Sequence, residues 1–320
     1  HGRRPVILAG FVLFTAASVA CAVATSFPAL LVCRLLQALG VSVGTVGSRA
    51  IVRDTHDALG AVRALAWIGA AMGIAPVVGP VIGGLLSAWA GPQSVFAASA
   101  ALGLLVTIAM SLRLTETRDA AATNAQSQHW ATSYGELLRS RVFVGYTLMY
   151  AFMQGCFFAF LAVAAVVFND HLGISAARFG VIWGGMALVY VAGAAGGARL
   201  TSRLGMRRVL WAGTLMIVFS GAALLLDVAA SGVTLVGLLA PLTLLMFAAG
   251  IQTPLSVAGA VNCRPDIAGT AAGLSSSMAL VLSGSFSIMA GYLYSGDFLP
   301  VAALIAASSA MAGVTYWLTR

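Results

Sequence analysis

Apolar runs of about twenty residues, separated by short polar or arginine-bearing turns, recur along the whole chain. They predict ten helical spans, at about 5–24, 29–49, 65–88, 93–112, 142–167, 178–198, 208–227, 233–259, 267–291 and 297–318. Strands of a membrane barrel would alternate over about ten residues, and the runs show no such alternation. The chain therefore reads as an all-α integral membrane protein.

One run differs from the others. LAWIGAAMGIAPVVGPVIGG, from Leu65 to Gly84, is uncharged yet contains Gly69, Gly73, Pro76, Gly79, Pro80, Gly83 and Gly84. At about 100° per residue, Gly69, Gly73, Pro76, Pro80 and Gly83 fall on one stripe with nothing bulkier than a proline ring. In water this composition would end a helix. In hydrocarbon each peptide group must be bonded internally, so the helix is expected to persist through Pro76 and Pro80. Such a smooth face admits a neighbouring helix backbone to backbone. It serves either as a fixed packing surface or as one against which a partner rocks.

Composition agrees with the pattern. Of 320 residues, 60% are hydrophobic and 8% charged, with mean hydropathy +0.98, beyond the range of a soluble domain. All 17 basic residues are arginine, and the net charge is +8. They are scattered a few per loop, so membrane orientation accounts for them better than nucleic acid does. Every second loop carries them: Arg3 and Arg4; Arg49, Arg53 and Arg63; Arg113, Arg118, Arg139 and Arg141; Arg199, Arg203, Arg207 and Arg208; Arg264; and Arg320; the intervening loops hold only Arg178, with Asp170, Asp227 and Asp297. By the positive-inside rule that side is cytoplasmic.

The segment 113–141 is the longest polar stretch and reads as a cytoplasmic linker, with a short surface helix through Trp130 and Tyr134. It separates 1–112, with four spans, from 142–320, with six. A basic turn recurs across that division: Gly2-Arg3-Arg4-Pro5-Val6 enters the first span and Gly205-Met206-Arg207-Arg208-Val209 the seventh. Two spans precede the second copy in its half and none precede the first, so two amino-terminal helices are expected to be missing from a six-plus-six arrangement.

With these motifs the chain resembles the major facilitator superfamily, and within it the Bcr/CflA-type drug:proton antiporters, related to bicyclomycin and chloramphenicol exporters. Gly2, Arg3 and Arg4 are similar to the end of that superfamily's loop signature G-x-x-x-D-R-x-G-R-R. The second copy keeps Arg203, Gly205 and Arg207 but has Ala198, Ser202 and Met206 where Gly, Asp and Arg are usual. Arg34-Leu35-Leu36-Gln37-Ala38-Leu39-Gly40 resembles the fourth-helix signature, and Gly73 through Gly84 the fifth-helix antiporter signature. Arg49-Ala50-Ile51-Val52-Arg53-Asp54 resembles the Bcr/CflA subgroup. The implied fold is a two-bundle transporter, with ten transmembrane helices of twelve visible here.

Candidate chemistry lies inside the spans. Arg34 shares a helix face with Gln37, Val41, Thr45 and Ser48, which points it either into a wet cavity or, by snorkelling, to the outer surface. The resemblance implies a role in proton coupling for Arg34, with Gln37 beside it. Arginine does not titrate, and all nine carboxylates fall in loops or at span ends. The resemblance therefore places the proton-carrying Asp on the first, missing helix. On the fifth span Tyr146, Tyr150, Gln154, Phe157 and Leu161 form an aromatic stripe with one central amide, suited to bulky, weakly polar compounds. Gln252 and Thr253 offer a second polar patch on the eighth span, either in a cavity or within helix packing. Small residues also line the sixth span (Gly180, Gly184, Ala187, Ala194, Ala198) and the ninth (Gly269, Gly273, Ser276, Ser287, Gly291), and both are expected at the contact between halves.

An enzyme is not expected. Gly40-Val41-Ser42-Val43-Gly44 matches G-x-S-x-G but lies within an apolar helix, without the strand-turn-helix setting that exposes such a serine. There is no lysine, hence no Walker A motif for ATP. His1, His56, His129 and His171 have no metal-ligand spacing, and Cys21, Cys33, Cys156 and Cys263 read as free thiols. No cofactor is expected. The expected function is multidrug efflux from a bacterial inner membrane, exchanging protons for hydrophobic drug-like molecules, by a monomer. Its rivals are a proton-coupled metabolite uptake symporter of the same fold and an inactive remnant.

Overall fold

A computed structural model of the chain describes residues 2–55, 58–116 and 130–319. Its helices are α1 (Arg3–Val23), α2 (Phe27–Thr55), α3 (Ala58–Ala90), α4 (Gln93–Arg113), α5 (Trp130–Arg139), α6 (Arg141–Leu172), α7 (Ala176–Leu204), α8 (Met206–Ser231), α9 (Leu235–Asn262), α10 (Ala268–Leu293) and α11 (Leu299–Thr315). Single 3₁₀ turns precede α10 and follow α11. Each of the ten apolar runs falls on a helix, and α5 is the short helix of the linker. Among the described residues nine helices are long and apolar enough to cross a membrane. In α3 the apolar run is described over Val78–Ala90.

Several helices outrun the apolar stretch that announces them. α2 continues to Thr55 and α7 to Leu204, because helical hydrogen bonding, once nucleated, propagates past the hydrocarbon edge. α3 stays one helix through Pro76 and Pro80. Most turns are short. Ser140 caps α6 by accepting from the Phe143 amide at 3.3 Å, and Gly173 ends that helix with φ +63°. Gly205, at φ +81°, is the one residue between α7 and α8, a conformation that side chains other than glycine's rarely adopt.

The chain forms two compact units, His1–Ala125 with Ala176–Val181, and Gln126–Ser175 with Ile182–Arg320. In the first, α1 packs on both α2 and α4. The crossing is close because glycine lies on both sides of it. A Cβ on Gly40 would come within 2.5 Å of the Phe14 amide nitrogen, and one on Gly103 within 2.7 Å of the Phe14 ring. In the second unit α6 packs on α9, α10 and α11, while α8 packs on α9 and α11. Phe143, Met149, Met153, Phe160 and Phe168, all on α6, are fully buried.

Below that core lies α5. Leu137 is completely buried against Phe143, Ala260 and Ala271. Glu136 beside it pairs with Arg264 at 2.8 Å, and Arg264 also donates two bonds to Asp266, at 2.9 and 2.8 Å. These bonds hold the Asp266 carboxyl below the usual carboxylate range and push Arg264 further up. All three groups are solvated, so the pairing orients the turn before α10 more than it stabilises the unit.

Candidate functional site

Arg34 lies two turns into α2, on a cavity of about 260 Å³ in the first unit. Phe14, Arg34, Gln37, Ala38, Val41 and Ser99 line it, from α1, α2 and α4. The sequence-predicted row Arg34, Gln37 and Val41 is thus together on one wall; the Thr45 side chain lies outside the described residues. Arg34 is exposed, while Gln37, three residues on, is 5% exposed.

A directed chain of hydrogen bonds links the two. Arg34 donates to Gln37 Oε1 at 2.5 Å, Gln37 Nε2 donates to Ser18 Oγ at 2.7 Å, and Ser18 donates to the Phe14 carbonyl at 2.7 Å. The amide has one workable orientation. Flipped, it would turn N–H donors on the guanidinium, which has only donors of its own. On its other side Arg34 faces the Phe96 ring of α4, 5.8 Å from the guanidinium carbon to the ring centre, within cation–π range. Ser18, Phe96 and Ser99 escaped the sequence reading. The only signal for Ser18 was a hydroxyl one turn beyond Phe14, and Thr15 on the same helix carries one too.

In the second unit the aromatic stripe of α6 divides. Tyr146 packs with Leu137, Phe143 and Cys263 at one end, and its ring fills the space beside Gly259. Tyr150 meets the Gln154 side chain one turn on, and both are half-buried. Phe157 packs against Phe158 and Trp183, with ring centres 5.3 and 5.6 Å apart. Gln252 is completely buried. Its Nε2 lies 3.5 Å from Thr214 Oγ1, which itself donates to the Leu210 carbonyl at 2.8 Å, and its Oε1 has no partner.

The small-residue faces also divide. In the first unit the opening turn of α7 lies against α3: a Cβ on Gly84 would come 2.7 Å from the Ala176 carbonyl oxygen, and one on Gly180 would overlap the Pro80 carbonyl. At Gly79 and Gly83 a Cβ would meet nothing within 4 Å. The surroundings of Gly69, Gly73 and Pro76 lie outside the described residues. In the second unit α7 meets α9 closely, Gly193 against the Phe247 carbonyl and Gly250 against the Tyr190 carbonyl. Gly269, Gly273 and Gly291 of α10 face open space.

The two basic turns need glycine for different reasons. Gly205 supplies a positive φ, whereas Gly2 has φ −66° and a Cβ there would overlap the Glu116 carboxylate. Glu116 accepts from the Arg3 amide at 2.8 Å and the Arg4 amide at 3.2 Å, capping α1, and Arg4 donates to the Ser111 carbonyl at 3.0 Å. Arg203 and Arg207 are exposed.

Comparison with known proteins gives this geometry a family. The Uncharacterized MFS-type transporter YdgK of Bacillus subtilis (strain 168) is 31% identical over 60% of this chain and 49% of its own length, so the match spans about half of that relative. The Chloramphenicol resistance protein of Pseudomonas aeruginosa is 29% identical over 90% of this chain and 68% of its own. Among solved structures, a bacterial homolog to the human lysosomal transporter Spinster, inward-facing and occupied, superposes with a TM-score of 0.71 over 98% of this chain and 79% of that one, at 15% identity. The model of the Major Facilitator Superfamily matches residues 1–288, and the chain belongs to that family.

Proposed function

We propose that the chain is a secondary exporter of the Bcr/CflA type in a bacterial cytoplasmic membrane, exchanging outgoing hydrophobic, drug-like molecules for incoming protons. The observation that carries this reading is the charged wall of the first unit's cavity, where Arg34 is bonded to Gln37 yet open to the hollow. At the centre of a bilayer a guanidinium costs about 2.5 to 3.5 kcal/mol on an insertion scale, a cost lowered when it faces water. Arginine keeps its proton, so Arg34 acts as a fixed positive charge, and the proton is carried by the carboxylate the family resemblance implies. Proton and substrate then compete at that carboxylate.

Likeness to a chloramphenicol resistance protein supports a bulky, weakly polar substrate. On this reading Tyr150, Gln154 and Phe157 offer area and one amide, with Tyr146 behind them. The glycine-proline run of α3 is the surface against which the protein rocks. Each proton moved down 100 mV contributes about 2.3 kcal/mol, enough for a modest drug gradient. The test uses everted membrane vesicles with an acid lumen. Adding chloramphenicol should release lumenal protons, and Arg34→Ala should abolish the release at equal expression. Equal release by the variant would overturn the role of Arg34; no release by either would overturn the antiport reading for this drug.

A further inference from the structure

We infer that Ser18 and Phe96 are positioning residues for Arg34, which set where its charge stands on the cavity wall; the inference deepens the function proposed above and rests on it for its transport arm. Four atoms in sequence fix the charge from below. The Ser18 hydrogen is committed to the Phe14 carbonyl, so its oxygen can only accept, and it accepts from Gln37 Nε2. That bond turns Gln37 Oε1 toward Arg34, which donates to it. Ser18 is completely buried and Gln37 nearly so, so neither group can exchange its partner for solvent without opening the crossing of α1 and α2.

Phe96 fixes the charge from the side. Its ring belongs to α4, so three helices hold one guanidinium: α2 by the chain, α1 through Ser18, α4 through the ring. The framework between them is stiff, because glycines bring Phe14 against both α2 and α4. A long, flexible side chain with many rotamers is thereby reduced to one station, exposed on the wall of the hollow. Ser18 acts only through Gln37, and Phe96 makes no hydrogen bond, so neither needs to touch a substrate.

The test compares Ser18→Ala, Ser18→Thr and Phe96→Leu with the parent chain in membrane vesicles. One readout is the ¹⁵N signal of the Arg34 side chain, assigned by its disappearance in Arg34→Lys. The other is proton-coupled efflux as a function of pH. Ser18→Ala and Phe96→Leu should each speed N–H exchange at Arg34 and change efflux at neutral pH by about fivefold, while Ser18→Thr, which keeps the hydroxyl, restores both. Phe96→Leu leaves the buried polar chain untouched and decides the matter if Ser18→Ala does not fold. Unchanged Arg34 signals in both variants would overturn the positioning role even if the parent exports drug. If the parent moves no protons, the function proposed above fails, and the Arg34 signal still decides this inference.

Discussion

Gln37 in the first unit and Gln252 in the second make the same local bond, but what lies beyond that bond differs. Each glutamine donates its amide to a hydroxyl on the preceding or neighbouring helix, at 2.7 Å to Ser18 and 3.5 Å to Thr214, and each hydroxyl donates to the carbonyl four residues before it. Ser18 lies sixteen residues past Gly2 and Gln37 ten past the start of α2; Thr214 lies nine past Gly205 and Gln252 seventeen past the start of α9. In the repeat frame the bridge has therefore slid by seven residues on both helices, two turns or about 10 Å. In the first unit its free acceptor meets Arg34 and a cavity, and in the second it is sealed with no donor. One device serves a charge at one depth and only joins helices at another.

The sharpest way to break that comparison is to remove both amides. Gln37→Leu should lower efflux by about tenfold, because a hydrogen bond to a charged group is worth roughly 1.5 to 3 kcal/mol. Gln252→Met should leave efflux within about twofold and thermal stability unchanged or raised, since it removes a buried orphan acceptor at similar volume. Equal losses in the two variants, measured in the same vesicles, would erase the distinction.

A second contrast, one residue apart, separates Gly84 from Gly83. Gly84→Leu must displace the Ala176 carbonyl and should cost about 1 to 3 kcal/mol of stability as well as transport, whereas Gly83→Leu enters open space and should leave stability unchanged while lowering efflux, because it roughens the proposed rocking surface. Thermal melting in detergent with parallel efflux assays reads both. Gly250→Ala tests the second unit's own crossing, where the Tyr190 backbone would have to move; a loss of about 1 to 3 kcal/mol is expected in the same melts, with Gly273→Ala neutral beside it. The smallest effect concerns Asp266. Its carboxyl is depressed by Arg264, so the pairing is complete above the ordinary carboxylate range and is lost only as pH falls through the lower folded value. Carboxyl NMR should show its midpoint below that of a solvated aspartate, and Arg264→Gln should return it.

What was legible in the sequence follows from the same physics. Span positions were readable because bilayer thickness sets the length of apolar runs, and Arg34 stood out as a charge inside one. Gln37 and Gln252 could not be told apart, since a glutamine's meaning depends on what lies across the helix crossing. Periodicity placed Gly83 on the stripe and left Gly84 beside it, yet the tight contact is made at Pro80 and Gly84, because a pattern within one helix does not say where its neighbour stands. Phe96 was invisible among other apolar residues until α4 brought its ring over Arg34.

The joint at Gly205 leaves α7 and α8 no slack. With one residue between Leu204 and Met206, the facing ends of the two rods are pinned together as at an elbow, and displacing one end should carry the other with it. Two flexible residues added after Gly205 would turn that elbow into a loose link, leaving each rod in place but free to move without its mate.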